Sequence, residues 1–167
     1  MSFSYLLDAN IFIQAHRERY PFDVFPIFWE WLESENEKGT ITSIDPVYKE
    51  LNPPSGTDEL SAWTKTLNKS QWFLPVDDEA CQISFAEIAN WTYRHPTYKQ
   101  TAKDEFLDIA DSLIIAKAKS MGITVVTQEK SSPNSRNRIQ IPDVCREFDV
   151  PCINLLQLIR TLEARFQ

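Results

Sequence analysis

The sequence predicts an α/β fold, a three-layer α/β/α sandwich around a central parallel sheet of four to five strands, on three observations. Two stretches, "WLESENEKGTITSI" and "IIAKAKSMGITVV", each read as a helix, a glycine at its C-cap (Gly39 or Gly122) and a short β-branched strand. The strands run four to five apolar residues without polar alternation, the pattern of strands buried on both faces. Helices separate them, as parallel pairing requires.

In chain order, Ser4 to Leu7 reads as the first strand and the segment after Asn10 as a helix. Pro21 opens a second helical stretch, "PFDVFPIFWEWLESENEK", which Pro26 breaks or kinks. Thr40 to Ile44 is the second strand, and Asp45 with Pro46 forms an N-cap and N1 pair for a short helix. Asn52 to Gly56, "NPPSG", is a loop, and Thr57 opens the next helix in an imperfect capping box. "WFLPV" is a short strand or extended connector. The helix "DDEACQISFAEIANWTYR" is capped by Asp77 or Asp78 and ended by His95 and Pro96. Tyr98 to Met121 is helical with an interruption before Phe106 or Asp108. Ile123 to Thr127 and Cys152 to Asn154 are further strands, separated by the polar loop "QEKSSPNSRNRIQ" and a short helix from Pro142. The expectation is a single domain over residues 1–167, a length that buries about two-thirds of the surface of the unfolded chain.

Open parallel sheets bind ligands beyond the carboxyl ends of their strands, and acids stand at those ends here. Asp8 closes the first strand, Glu50 follows the second by a helical turn, and Glu129 follows "ITVVT" after Gln128. Asp111 shares a helical stripe with Ile115 and Ala118, so it faces inward. Crowded carboxylates repel one another, and burying them is costly unless cations neutralise them. With oxygen ligands and neither His nor Cys beside them, the ion expected is Mg²⁺ or Mn²⁺, which supports phosphoryl transfer or phosphodiester hydrolysis.

The formal charge of -7 and a pI near 4.9 exclude nucleic-acid binding by bulk electrostatics. A metal or a local basic patch can still supply the field a phosphate needs. No run reaches the roughly 18 apolar residues of a membrane span, and no basic segment precedes an apolar signal core. The expectation is therefore a cytoplasmic protein with no membrane partner. Cys81, Cys145 and Cys152 lack a C-x-x-C pairing and read as buried reduced thiols.

"YLLDANIFI", "VYKEL" and "ADSLIIAKAKSMGITVVTQE", in this order and spacing, resemble the PIN domain, the fold of VapC-like toxin ribonucleases. The C-terminal "IPDVCREFDVPCINLLQLIR" is similar to the PIN branch known as DUF4411. The resemblance covers nearly the whole chain. It implies a PIN-like sandwich and a metal-dependent endoribonuclease, the toxin of a prokaryotic type II toxin-antitoxin pair. RNA is then the substrate, a cognate antitoxin the partner, and a homodimer the assembly. Asp8, Glu50 and Asp111 match the family's acids, with Asn10 and Thr127 in support and Asp108 as an outer residue. The fourth acid usually reads T-x-D, and Thr127, Gln128 and Glu129 depart from it by a methylene.

Three other readings stand beside this one. For Asp8 alone, helix capping is the ordinary role. A haloacid-dehalogenase-like phosphatase would carry a second aspartate where Asn10 stands. A PIN-like scaffold without catalysis would bind RNA or a protein instead. Lys117 or Arg94 is the structural alternative as a salt-bridge partner for Asp111. Among the basic residues, Lys130, Arg136 and Arg138 follow Glu129 most closely and are the RNA contacts expected. His16 and His95, each beside an arginine, read as solvated surface. The aromatics of "FDVFPIFWEWLE" read as core, with part of that helix as a subunit or antitoxin groove.

Overall fold

At the centre of the computed structural model, which describes residues 2–167, lies β1 (Tyr5–Leu7). It pairs with β2 (Ile41–Ile44) on one side and β4 (Thr124–Val126) on the other. Outside these lie β3 (Phe73–Leu74), against β2, and β5 (Cys152–Ile153), against β4. All four pairings are parallel, and the register sets Tyr5 opposite both Ile41 and Thr124, and Leu7 opposite Val126. Every β2 residue is buried, as are Leu6 and Leu7, so helices cover both faces of this α/β sheet. The expected parallel sheet is present with five strands. In the order β3-β2-β1-β4-β5 the chain builds outward from β1 in one direction and then in the other. The topological switch point therefore falls between β1 and β4.

Helix α1 (Ala9–Gln14) leaves β1 directly and continues into a π-helical turn, Ala15–Arg19. Helix α2 (Pro26–Glu37) starts at Pro26, not at Pro21, and residues 22–24 form a turn. Proline at the first helical position lacks only an N–H that would have no intrahelical partner, so it begins this helix instead of kinking it. Helix α3 (Asp45–Leu51) departs from expectation as well, because Ile44 holds the N-cap position. The Asp45 carboxylate pairs with Lys49 at 3.0 Å and Lys69 at 3.6 Å. Helices α4 (Glu59–Lys65) and α5 (Lys69–Trp72) follow, α4 capped by Asp58 and not Thr57. Asp78 caps α6 (Glu79–Arg94) by accepting from Cys81 N.

Between α7 (Gln100–Asp108) and α8 (Ala110–Met121) the helical run breaks at Ile109, beyond both expected points. Its extended backbone (φ -109°, ψ 174°) resets the helix, and Asp111 enters the first turn of a new one. Helix α8 ends on Gly122, whose φ of +69° only glycine adopts at little cost. It packs against α6, α7, β1 and β4, and also against α9 (Ile141–Glu147). That enclosure buries Ser112 and the run Ile114, Ile115, Ala116, Lys117 and Ala118. The last helix, α10 (Leu155–Thr161), opens with a capping box of Asn154 and Gln157.

Phe12, Phe28, Leu32 and Ile44 are among the fully buried side chains of the core. In the aromatic segment Phe28 and Trp29 are buried, Phe22 stacks on Trp29 at 4.1 Å, and Phe25 remains 39% exposed. Cys81 and Cys145 are buried and Cys152 is partly so, all three free. Among the described residues, no helix is long and apolar enough to cross a membrane.

Candidate metal centre

Asp8 is the residue at which β1 becomes α1, and it is only 3% exposed. Its backbone N–H donates to Val126 O at 3.0 Å, which ties the turn to β4 across the switch point. Its carboxylate is held from two sides: Oδ1 accepts from Ala9 N at 2.8 Å and Oδ2 from the Thr127 hydroxyl at 2.9 Å. Asp8 thus caps the helix, as the ordinary reading has it, and still presents a buried charge at the sheet's carboxyl edge. Asn10 completes a latch. Its Nδ2 donates to Thr127 Oγ1 at 3.4 Å, and its Oδ1 accepts from Gln128 N at 3.1 Å. Thr127 Oγ1 also accepts from Glu129 N at 3.1 Å, so one hydroxyl orients both acids.

Asp111 reaches this point from the first turn of α8, and Glu129 from the chain just beyond β4. One carboxylate oxygen from each of Asp8, Asp111 and Glu129 lies within 4.8 Å of the others. Burial pushes the Asp8 carboxyl well above the usual range, and the charges of Asp111 and Glu129 raise it further against the hydrogen bonds from Thr127 and Ala9. Asp111 is pushed up to about 6 by burial, with Glu50 and Glu105 adding to it and Arg138 opposing. Glu129 is pushed up to about 7, by burial first and Asp111 second, against Arg138 and the Ile141 backbone N–H.

Glu50 lies outside this triad. It is exposed on α3, and partial desolvation of its carboxyl raises its pKa; its charge is felt at Asp111. Asp108 is exposed at the end of α7. Arg138 approaches Glu129 Oε1 at 3.5 Å with a side chain that is 61% exposed. At that distance the contact is an ion pair, and Glu129 Oε1 remains a buried acceptor with no hydrogen-bond donor. One buried and two half-buried acids that repel one another, one with an oxygen that lacks a hydrogen-bond donor, form an all-oxygen donor set that suits a divalent cation.

The proposed partner Lys117 is engaged elsewhere. It lies nearly two turns further along α8 and pairs with Asp78 at 2.8 Å. Lys130, Arg136 and Arg138 are exposed on the loop after Glu129, as expected, and Arg136 O accepts from Lys99 N at 2.9 Å. His16 and His95 are each half-buried rather than solvated. His16 packs on Phe22 at 5.6 Å, and His95 stacks on Tyr98 at 4.2 Å.

Two contributors carry no signal in the sequence. Gln128 Oε1 accepts from Leu155 N at 3.1 Å, which joins the site to the start of α10. Asp143 gathers the Ser131 hydroxyl (2.5 Å), the Ser132 N–H (2.8 Å) and Arg146 (3.3 Å), pinning the loop's beginning to α9.

The solved structures similar to this chain include the crystal structure of VapBC2 from Rickettsia felis bound to a DNA fragment from their promoter. The match has a TM-score of 0.52 at 17% identity and covers 90% of this chain and 97% of that one. The curated proteins give no match. The family model described as a domain of unknown function, DUF4411, matches residues 5–166. That match spans all five strands and each acid of the triad, in a PIN-like α/β fold, and the chain belongs to the DUF4411 family.

Proposed function

We propose that this chain is a PIN-type metal-dependent endoribonuclease that hydrolyses RNA phosphodiester bonds, the toxin of a prokaryotic type II toxin-antitoxin pair. The observation that carries the reading is the convergence of Asp8, Asp111 and Glu129 at the switch point, with a buried Glu129 oxygen that makes an ion pair with Arg138 at 3.5 Å and no hydrogen bond. These three would hold Mg²⁺ or Mn²⁺, with Glu50 at the rim. Such an ion, when bound, acts as a Lewis acid that activates water for attack at phosphorus and stabilises charge on the leaving oxygen. The chain's own groups orient and screen. Thr127 fixes the carboxylate of Asp8, Asn10 holds the backbone of Gln128, and burial of Asp8 keeps bulk water from its charge. Exposed cations at Lys130, Arg136 and Arg138 suit an RNA backbone. The likeness to a VapBC2 structure supports an antitoxin partner and the cytoplasm as the site of action. A homodimer and a single domain over residues 1–167 complete the proposal.

The test is cleavage of labelled RNA by the purified wild type and by Asp8→Ala and Asp111→Ala, with Mn²⁺ and with EDTA. Expected are cleavage by the wild type with Mn²⁺ alone and none by either variant, with circular dichroism unchanged. Metal-dependent cleavage retained by a folded variant would defeat the assignment. Metal binding by the wild type without cleavage would favour the scaffold reading.

A further inference from the structure

Two crevices border the triad, and they differ in what they can hold. On the Arg138 side, the space beside Asp111 and Ile139 measures about 10 Å³, room for about one water molecule. A second cleft, lined by Glu129 itself, measures about 400 Å³, within the range of about 300–1,000 Å³ typical of small-molecule sites. Glu129 is part of its lining, so a ligand in the cleft adjoins the metal centre.

The cleft wall has three kinds of group. Arg19, from the π-helical turn, and Lys130, from the loop after β4, are exposed cations with no carboxylate partner among the described residues. Gln14, Gln128 and Asn154 contribute amides; two are already anchored, Gln128 on Leu155 N and Asn154 in the capping box. Leu156 contributes an apolar surface that is 51% exposed. Glu18 adds one negative charge beside Arg19. Without a metal the cleft holds two cations against two carboxylates. Once Glu129 is engaged by a cation, the balance turns positive.

We infer that this cleft is the subsite for a single-stranded RNA nucleotide next to the scissile phosphate, with Arg19 and Lys130 on its backbone phosphates and Leu156 against its base. The inference rests on the proposed nuclease reading and adds to it the side from which the strand enters. Within this cleft RNA follows the Lys130 wall; Arg138, paired with Glu129, does not line it. Because the cleft's charge turns on Glu129, RNA binding requires the divalent ion.

The experiment uses the full chain and fluorescence anisotropy of a fluorescein-labelled, phosphorothioate-linked single-stranded RNA decamer, with Mg²⁺ or EDTA, over a salt series. Each phosphate contact to a single strand contributes about 0.7 to the slope of log affinity against log salt. The double variant R19E/K130E is expected to flatten that slope by about 1.4 and to weaken binding about tenfold. The double variant K65E/R94E, which reverses two exposed cations outside the cleft lining, matches that change in net charge and is expected to bind like the wild type. Wild-type affinity and slope in R19E/K130E would overturn the subsite. Calorimetry with Mn²⁺ on the same samples separates the two levels. If the wild type takes up no ion, the nuclease reading itself fails; if both proteins take it up and bind RNA equally, only the subsite fails.

Discussion

Replacing Glu129 with Gln is expected to stabilise the metal-free protein while removing the ion's hold on it. Glu129 ordinarily titrates near 4.5 and in the fold at about 7, chiefly because it is buried and secondly because Asp111 faces it. At about 1.4 kcal/mol per pH unit, that difference costs the folded state about 3 kcal/mol once the carboxyl is ionised. That figure already includes the opposing Arg138 charge, so the gain is about 3 kcal/mol, or about 6–12 °C in Tm for a chain of this length. The sign depends on pH in a defined way. Between about 4.5 and 7 the folded chain retains a proton that the unfolded chain has released, so wild-type stability falls as pH rises through that window. The advantage of Glu129→Gln is therefore complete near pH 8 and absent near pH 4. Thermal unfolding in EDTA at both pH values measures it. A lower Tm for the variant at pH 8 would refute the claim that this carboxylate is electrostatically unfavourable in the ion-free fold.

Other expectations follow from the same geometry. Mn²⁺ should raise the wild-type Tm more at pH 8 than at pH 5.5, because the raised carboxyls of Asp111 and Glu129 must release protons to bind it; an equal rise at both would contradict their assignment as ligands. Thr127→Val removes the hydroxyl that donates to Asp8 and accepts from Glu129 N, and should weaken Mn²⁺ binding about 10–100-fold in calorimetry and cost about 1–3 kcal/mol in denaturant unfolding. Ile115→Ala, in the fully buried part of α8, should cost about 2–5 kcal/mol by the same denaturant measurement. Gly122→Ala meets no atom within 4 Å but must adopt a φ of +69°, so it should cost about 1–2 kcal/mol, all of it backbone strain.

The parallel sheet was legible because its signals are local. A helix, a glycine and a β-branched run are contiguous in sequence, and both stretches fold as helix then strand, with Gly122 at the C-cap as read and Gly39 one residue beyond the C-cap, which Lys38 holds. Asp8 was legible for the same reason, since a carboxylate that ends an apolar strand stands out. The relation between Glu50 and Glu129 was not. Both acids follow a strand that pairs directly with β1, but Glu129 stands in the non-helical chain just beyond β4, whereas Glu50 sits a helical turn along α3 after β2. How the chain leaves each strand, and not the strand order, decides which of them meets Asp8. The break at Ile109 was displaced because one extended residue within an otherwise helical run has no compositional mark. Gln128 and Asp143 act on partners 27 and 11–12 residues away, beyond any periodicity a single chain displays.

The central claim is that Asp8, Asp111 and Glu129 together hold one divalent ion. Calorimetric titration of Mn²⁺ into the wild type and Asp8→Asn at pH 8 tests it most directly. The expected result is saturable binding of one ion by the wild type and its loss in the variant. Equal uptake by both proteins would contradict the account and place the ion away from the switch point.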